Sequence, residues 1–379
     1  MTHKAGMGIA AAVVWAVILA GSAVPARAQW QIASPDGKAN LKLGILFQGQ
    51  AEWMEVPEVG DPNDFDLSRN IFIRRFRILG GGNVTEKLSF FFETDSPNLG
   101  KGITKVTVSP GGTVAVENSK EAGDIYLQDV FVTYSFLDEF KIEGGLMLTP
   151  NSHNSESSAA ALLPIDYGPY SFLASTPTLS RVGRDWGAQT RGYLFKHFEY
   201  RFGVYQGFRG ENSTAPFRYV GRVVAYVFEP ETGFFYTGTS LGTKKILALG
   251  FSGDGQETYR SYGGDVFMDL PIPNGDGLTL QGDYIYYDGN DTFQQLPVQN
   301  TWLAEAGYYN KAARLGPFVQ IGVQDFADPD LHDENRYQGG LAYWAFGHKF
   351  NLKLGYTQIY KQHERRRNQV VLQCQVFQF

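Results

Sequence analysis

From residue 40 onward, apolar and polar side chains alternate with a period of two, the pattern of strands whose two faces meet different environments. Within 198–205, Phe198, Tyr200, Phe202 and Val204 share one face, while Glu199, Arg201, Gly203 and Tyr205 share the other. Lys141 and Glu143 stand opposite Ile142, Leu146 and Leu148; Asp185, Gln189 and Arg191 keep one phase; Gln281 and Asp283 oppose Leu280 and Tyr284. With turn residues between them, these runs predict sixteen strands over 40–53, 69–81, 86–95, 125–135, 140–149, 185–195, 198–207, 218–228, 244–254, 259–270, 278–288, 300–310, 314–324, 336–347, 350–360 and 368–379. An even antiparallel count suits an all-β transmembrane barrel with one face toward lipid and one toward a wet lumen. A water-soluble sandwich alternates in the same way, but would have to bury every one of these apolar faces in a dry core.

The connections orient that barrel. Turns at 82–85, 136–139, 196–197, 311–313 and 348–349 are short, and the alternating ones at 54–68, 96–124, 150–184, 208–217, 289–299 and 325–335 are longer. Outer-membrane barrels keep short turns at the periplasm and long loops outside, which puts both termini on the periplasmic side. The periplasmic connections 229–243 and 271–277 are longer than such turns need, and Gly233 to Gly238 is a candidate extra hairpin.

Both ends of the chain agree. The last strand finishes on Phe379, and a closed barrel must pair its last strand with its first to lose both edges. Residues 1–28 carry His3 and Lys4, an apolar run from Gly8 to Ala20, and Ala26-Arg27-Ala28 as a small-x-small site. This is the layout of a secretory signal peptide cut before Gln29, leaving 29–379 as the barrel. No later segment approaches the roughly 18 apolar residues of a spanning helix. The exported part has one cysteine, Cys374, which excludes an intrachain disulfide and reads as a small apolar filler.

Composition narrows the class. Twenty-eight Phe, 21 Tyr, 6 Trp and 44 Gly suit tightly turned strands with interfacial aromatics. Removing Lys4 and Arg27 from the 33 basic residues leaves 31 against 39 acidic ones, a formal charge of −8 that argues against a nucleic-acid partner.

Three segments then carry a family likeness: Arg69-Asn70-Ile71-Phe72-Ile73-Arg74-Arg75-Phe76-Arg77, Ser89-Phe90-Phe91-Phe92-Glu93-Thr94-Asp95, and Gly183-Arg184-Asp185-Trp186-Gly187-Ala188-Gln189. In order and spacing the chain resembles the phosphate-selective porin O and P family through nearly all of its exported length. The resemblance implies a sixteen-stranded, usually homotrimeric channel whose third external loop folds inward to narrow the pore. Residues 150–184 are that connection here, with Pro150, His153, Glu156, Asp166, Tyr167 and Arg181 as candidate constriction residues. Composition alone leaves an inward fold and an external cap or plug equally open; the resemblance favours the inward fold. The family pattern has a lysine before the proline that opens this loop, whereas Thr149 precedes Pro150 and Asn151 here, a departure that weakens any specificity for phosphate.

The lumen phase supplies the candidate pore lining. Its basic members are Arg75, Arg77, Lys141, Arg191, Arg201, Arg222 and Lys353; its acidic members are Glu93, Asp129, Glu143, Asp185, Glu199, Asp265, Asp283 and Glu305. Seven positive against eight negative is a mixed wall, fit for modest charge selection or for bracing by ion pairs. Arg74 falls out of phase, with Phe72 and Phe76. A lipid-facing arginine at mid-membrane would cost roughly 2–4 kcal/mol, so Arg74 either lies near an interface or is turned by a bulge. In the last strand Phe377 and Phe379 share a phase that Gln373 and Gln375 interrupt, which allows a bulge near Gln378.

Two further clusters read as ordinary loops: Asp328 to Glu334 as a solvated turn rather than a metal site, and Lys361 to Arg367 as an external basic patch. No nucleophile triad or phosphate-cradling loop can be placed, so no enzyme, cofactor or metal is expected. The expectation is a passive outer-membrane porin of a Gram-negative-type bacterium. Its partners would be membrane lipid, the barrel-assembly machinery, and small hydrophilic solutes or inorganic ions, anions among them. The alternatives are a phosphate- or polyphosphate-selective channel and a non-conducting structural or adhesive barrel.

Overall fold

The computed structural model describes residues 30–58, 61–108, 114–172 and 183–379; the signal segment and Arg181 lie outside the described residues. A short β1 (Trp30–Ala33) leads into β2 (Asn40–Glu58), β3 (Asp61–Asn83) and β4 (Leu88–Asp95), followed by an external hairpin of β5 (Gly102–Val108) and β6 (Val114–Lys120). The chain continues through β7 (Tyr126–Leu137), β8 (Phe140–Leu148), β9 (Arg184–Leu194), β10 (Phe198–Tyr205), β11 (Arg218–Tyr226), β12 (Ile246–Gln256) and β13 (Tyr259–Ile272). It ends with β14 (Asp276–Asp288), β15 (Gln299–Tyr309), β16 (Leu315–Phe326), β17 (Glu334–Tyr343), β18 (Ala345–His348), β19 (Phe350–Lys361) and β20 (Arg367–Gln378).

Sixteen of these strands form a closed antiparallel ladder, because β20 pairs with β2 from Ile45↔Gln378 to Met54↔Gln369. The sixteen spans expected from alternation all have their counterpart. β1 sits on the same edge of β2, with Trp30 opposite Leu43, and so prolongs the line of β20. Gly44 lies at this seam: a Cβ there would fall on the carbonyl oxygen of Gln378 and 2.7 Å from the Phe379 ring.

The alternation separates lipid from lumen. Phe198 and Phe202 on β10 are each 52% exposed on the outer wall, whereas Arg201 between them is 1% exposed on the inside. On the outer wall aromatic side chains pair across strands, as in Tyr262 with Tyr286 and Tyr284 with Trp302.

Register shifts occur near two strand ends, at Pro57/Glu58 and Ser135/Leu137, and two bulges break the phase within the wall. Gln48 pairs with Arg75 and Gly49 with Ile73, leaving Arg74 as the extra residue of β3; Glu93 pairs with Asp129 and Thr94 with Leu127, leaving Gln128 as the extra residue of β7. The first bulge resolves the out-of-phase arginine, since Arg74 turns inward beside Arg75. By contrast, β20 runs in unbroken register against both neighbours, so the bulge considered near Gln378 is absent.

Four connections differ from expectation. The one over 54–68 is mostly strand, since β2 runs on to Glu58 and β3 starts at Asp61. The loop over 96–124 contains the β5–β6 hairpin, which pairs only with itself. The turn between β13 and β14 shrinks to Pro273–Gly275 because both strands extend. Gly233 to Gly238 forms no hairpin, since its polar groups are engaged inside the barrel.

Candidate functional site

The loop after β8 enters the lumen from the external side. Thr149 is tied to Gly183 by a backbone hydrogen bond of 2.9 Å, and a one-turn helix α1 (His153–Glu156) follows, capped by Ser152 with Ser155 closing a capping box. The barrel wall then holds the loop by its carbonyl groups. Gln48 donates to Ala159 O at 3.1 Å, Gln375 to Ala160 O at 2.8 Å, Gln320 to Asp166 O at 3.0 Å, and Lys353 Nζ to Leu162 O and Pro164 O at 2.6 and 2.7 Å. Gln375, one of the two glutamines that interrupt the apolar phase of β20, is thus a donor to a loop that would otherwise leave buried carbonyls unpaired. Apolar loop residues fill the gaps: Ala159 and Ala160 pack on Leu46 and Leu79, and Leu163 and Ile165 on Phe318 and Trp344.

A second segment enters from the periplasmic side. The connection between β11 and β12 places Phe234 with its ring 4.3 Å from that of Phe131, and Tyr236 with its hydroxyl 2.9 Å from Glu199. The two segments touch. Tyr236 N donates to Glu156 O at 3.0 Å, Ser158 N donates to Tyr236 O at 2.8 Å, and His153 Nε2 meets Glu231 at 2.8 Å while its ring stacks on Phe267 at 3.8 Å.

Charges organise the contact. Glu156 lies 3.2 Å from Arg201 and 3.7 Å from Arg222, and Arg201 also holds Glu199 at 2.7 Å and the carbonyl of Phe234 at 2.9 Å. Burial pushes the Glu156 carboxyl up to about 7, with Glu199 adding to it and the two arginines opposing. For His153 burial favours the neutral ring, yet the Glu231 carboxylate outweighs it and raises the imidazole above its ordinary value. Asp166 is also penalised by burial, but Arg74 and Arg75 hold its carboxyl far below the usual range.

All fifteen candidate lining residues turn inward, and all but Lys141 are buried; Lys141 sits over the Tyr193 ring near the periplasmic end. They are joined as Arg77 to Glu93, Arg191 to Glu143, Arg201 to Glu199 and Arg222 to Asp265 at 2.5–2.7 Å. Each of the sixteen barrel strands contributes at least one buried interior side chain, so the lumen at the level of the loop is packed. Of the loop candidates, Pro150, His153 and Glu156 are buried, while Asp166 and Tyr167 border a cavity.

Sequence reasoning missed Arg184, Arg218 and Glu231. Arg184 pairs with Asp129 at 3.0 Å, and Arg218 bridges Asp185 and Asp254 at 3.1 and 2.6 Å. Arg218 shares the phase of Arg222 and was legible by extending that strand, whereas nothing local marks a periplasmic-turn glutamate as a lumen group. Among the described residues no cluster of three metal-ligating side chains occurs, Asp328 to Glu334 included.

Above the loop a cavity of about 510 Å³ lies between residues 165–172 and the wall that runs from β16 through β20 and β2 to β7. Its cationic lining includes Arg74, Arg75, Arg77, Lys101 and Arg336.

This architecture is that of an outer-membrane β-barrel. Solved structures similar to the chain include the outer-membrane channel DcaP of Acinetobacter baumannii (12% identity, TM-score 0.56, covering 92% of this chain and 99% of that one) and OprB of Pseudomonas putida at high pH (9%, TM-score 0.60, 89% and 94%). An anion-selective porin from Comamonas acidovorans is similar over 90% of this chain and 100% of its own, at 10% identity and TM-score 0.56. At such identities the likeness is one of fold. No family model and no curated protein matches the chain, so the likeness to the phosphate-selective group rests on the three segments alone.

Proposed function

We propose that the protein is a passive outer-membrane channel for small hydrophilic solutes and ions, narrowed by two inserted segments. The observation that carries this reading is the chemistry of the lumen. The inserts are held largely by hydrogen bonds and ion pairs to a charged wall, groups that water or solute can replace, rather than by a continuous hydrocarbon core. The fifteen inward charges are the proposed lining, and residues 149–172 with the β11–β12 connection the proposed constriction. The similar folds include proteins described as a channel and as an anion-selective porin. Phosphate selectivity has less support: Thr149 stands where the likeness would have a lysine, and the lumen arginines are paired with carboxylates.

The proposal includes removal of residues 1–28, barrel assembly from the periplasm, and a homotrimer that buries part of each apolar outer wall. Native mass analysis in mild detergent is expected to return about three copies of the mature chain.

The packed lumen favours a second reading, a structural barrel that inserts without conducting. Planar bilayers separate the two. A channel gives discrete ohmic steps and osmotic swelling of vesicles by small solutes; a structural barrel inserts, shifts on a gel when heated, and passes neither.

A further inference from the structure

The cavity on the external side of the loop has features that neither the constriction nor the fold requires. Both inward bulges of this wall aim a polar side chain into it: Arg74 from β3 and Gln128 from β7. Bulges re-aim side chains at the expense of a ladder position, and two converging on one cavity mark it as built. Gln128 is only 8% exposed, lines the cavity, and its amide has no hydrogen-bond partner among the described residues. Arg74, whose side chain is 25% exposed, shares the single carboxylate of Asp166 with Arg75, so two guanidiniums there meet one negative charge.

Chemistry divides along the wall. One arc presents guanidiniums: six basic side chains line the cavity against three carboxylates, Glu52, Asp95 and Asp166, while Glu93 and Glu334 stand behind the lining, so that the cavity surface keeps an excess of positive charge. The other arc presents amides, among them Gln320, Gln338 and Gln369, with Thr357 between them. Tyr167 and Phe172 supply ring faces at the loop. An anion is demanded by the first arc, and amides that both donate and accept suit hydroxyl groups on the second. The volume lies in the range of small-molecule sites.

We infer that this external vestibule binds a hydroxylated carboxylate of sugar-acid size, with its carboxylate on Arg74 and a hydroxyl on Gln128. The inference names a solute class for the proposed channel and rests on that reading for delivery, but binding itself requires no permeation.

The test is calorimetric titration of the intact protein in detergent with gluconate, glucose and butyrate, kept separate from flux. Gluconate is expected to bind more tightly than either the neutral sugar or the unhydroxylated acid. Arg74→Gln is expected to weaken gluconate about tenfold, the weight of one charge-assisted hydrogen bond, and to leave glucose unchanged. Gln128→Leu is expected to weaken gluconate while sparing butyrate, and it decides the matter should Arg74→Gln fail to fold. Lys349→Gln, which removes an exposed charge at the periplasmic end, is expected to change nothing. Equal binding of gluconate and butyrate, or none of gluconate, overturns the site even where the protein conducts. Gluconate binding without any flux upholds the site and counts against the channel.

Discussion

The backbone nitrogen of Ser158 donates to the carbonyl of Tyr236 at 2.8 Å, so a segment entering from outside is hydrogen-bonded to one entering from the periplasm. Strand-borne side chains then fix both: Arg201 holds Glu156 of the first and the Phe234 carbonyl of the second. In the proposed channel, conduction is therefore expected to depend on a contact between inserts as well as on the wall.

Loosening one insert tests this. Tyr236→Ala removes a ring stacked 4.9 Å from His153, a cation–π contact 4.7 Å from Arg201 and the hydrogen bond to Glu199. Bilayer recordings are expected to show more frequent or larger openings with the barrel intact. Unchanged openings in a correctly folded variant would mean that the periplasmic insert does not limit flow.

The contact is expected to respond to pH. Glu156 and His153 both have raised values when the inserts are packed, so the packed state binds protons more tightly than a hydrated, displaced one. For Glu156 the stabilisation is complete below its ordinary 4.5 and lost as pH rises through about 7; for His153 it is complete below 6.5 and lost above its raised value. Conductance is therefore expected to be lowest near pH 5 and to rise toward pH 8. Glu156→Gln is expected to flatten the part of that rise below neutrality, and an acid-opened channel would reverse the sign of the argument.

Arg77 separates bracing from selectivity. It lies 2.7 Å from Glu93 and 3.0 Å from Asp95, all three buried. Replacing it with Gln takes from two buried carboxylates their near cation, leaving Glu93 only Arg184 at 3.8 Å, and is expected to cost roughly 3–5 kcal/mol in urea unfolding of the reconstituted barrel. Arg74→Gln, at a more exposed position, is expected to cost much less. Equal losses would place both arginines in one class.

The seam makes a sharper structural demand. Gly44→Ala would set a methyl group against the Gln378 carbonyl and the Phe379 ring. Folded yield, read as the heat-modifiable band on gels, is expected to fall, and normal yield would show that the β2–β20 closure tolerates displacement.

The period-two pattern made the ladder legible because each strand carries its own record of inside and outside, as Phe198, Glu199 and Arg201 illustrate. What fills the inside left a weaker trace. Lys353 looked like a charge facing water and is spent on two loop carbonyls; Gln373 and Gln375 looked like interruptions, and Gln375 is an anchor. Arg74 betrayed its bulge, because an arginine in an apolar phase is costly, but Gln128 gave no such warning since an uncharged amide costs less when out of phase. Glu231 was not legible at all, because its role depends on a connection folding back through the barrel.

Single-channel conductance in planar bilayers of the intact protein, beside a variant whose residues 231–240 are replaced by a short Gly-Ser turn, tests the central claim most directly. A narrowed channel is expected to give small ohmic steps for the intact chain and clearly larger ones for the shortened one. Steps of equal size, or silence from both in membranes where both have inserted, would contradict a lumen whose passage is set by the two meeting segments.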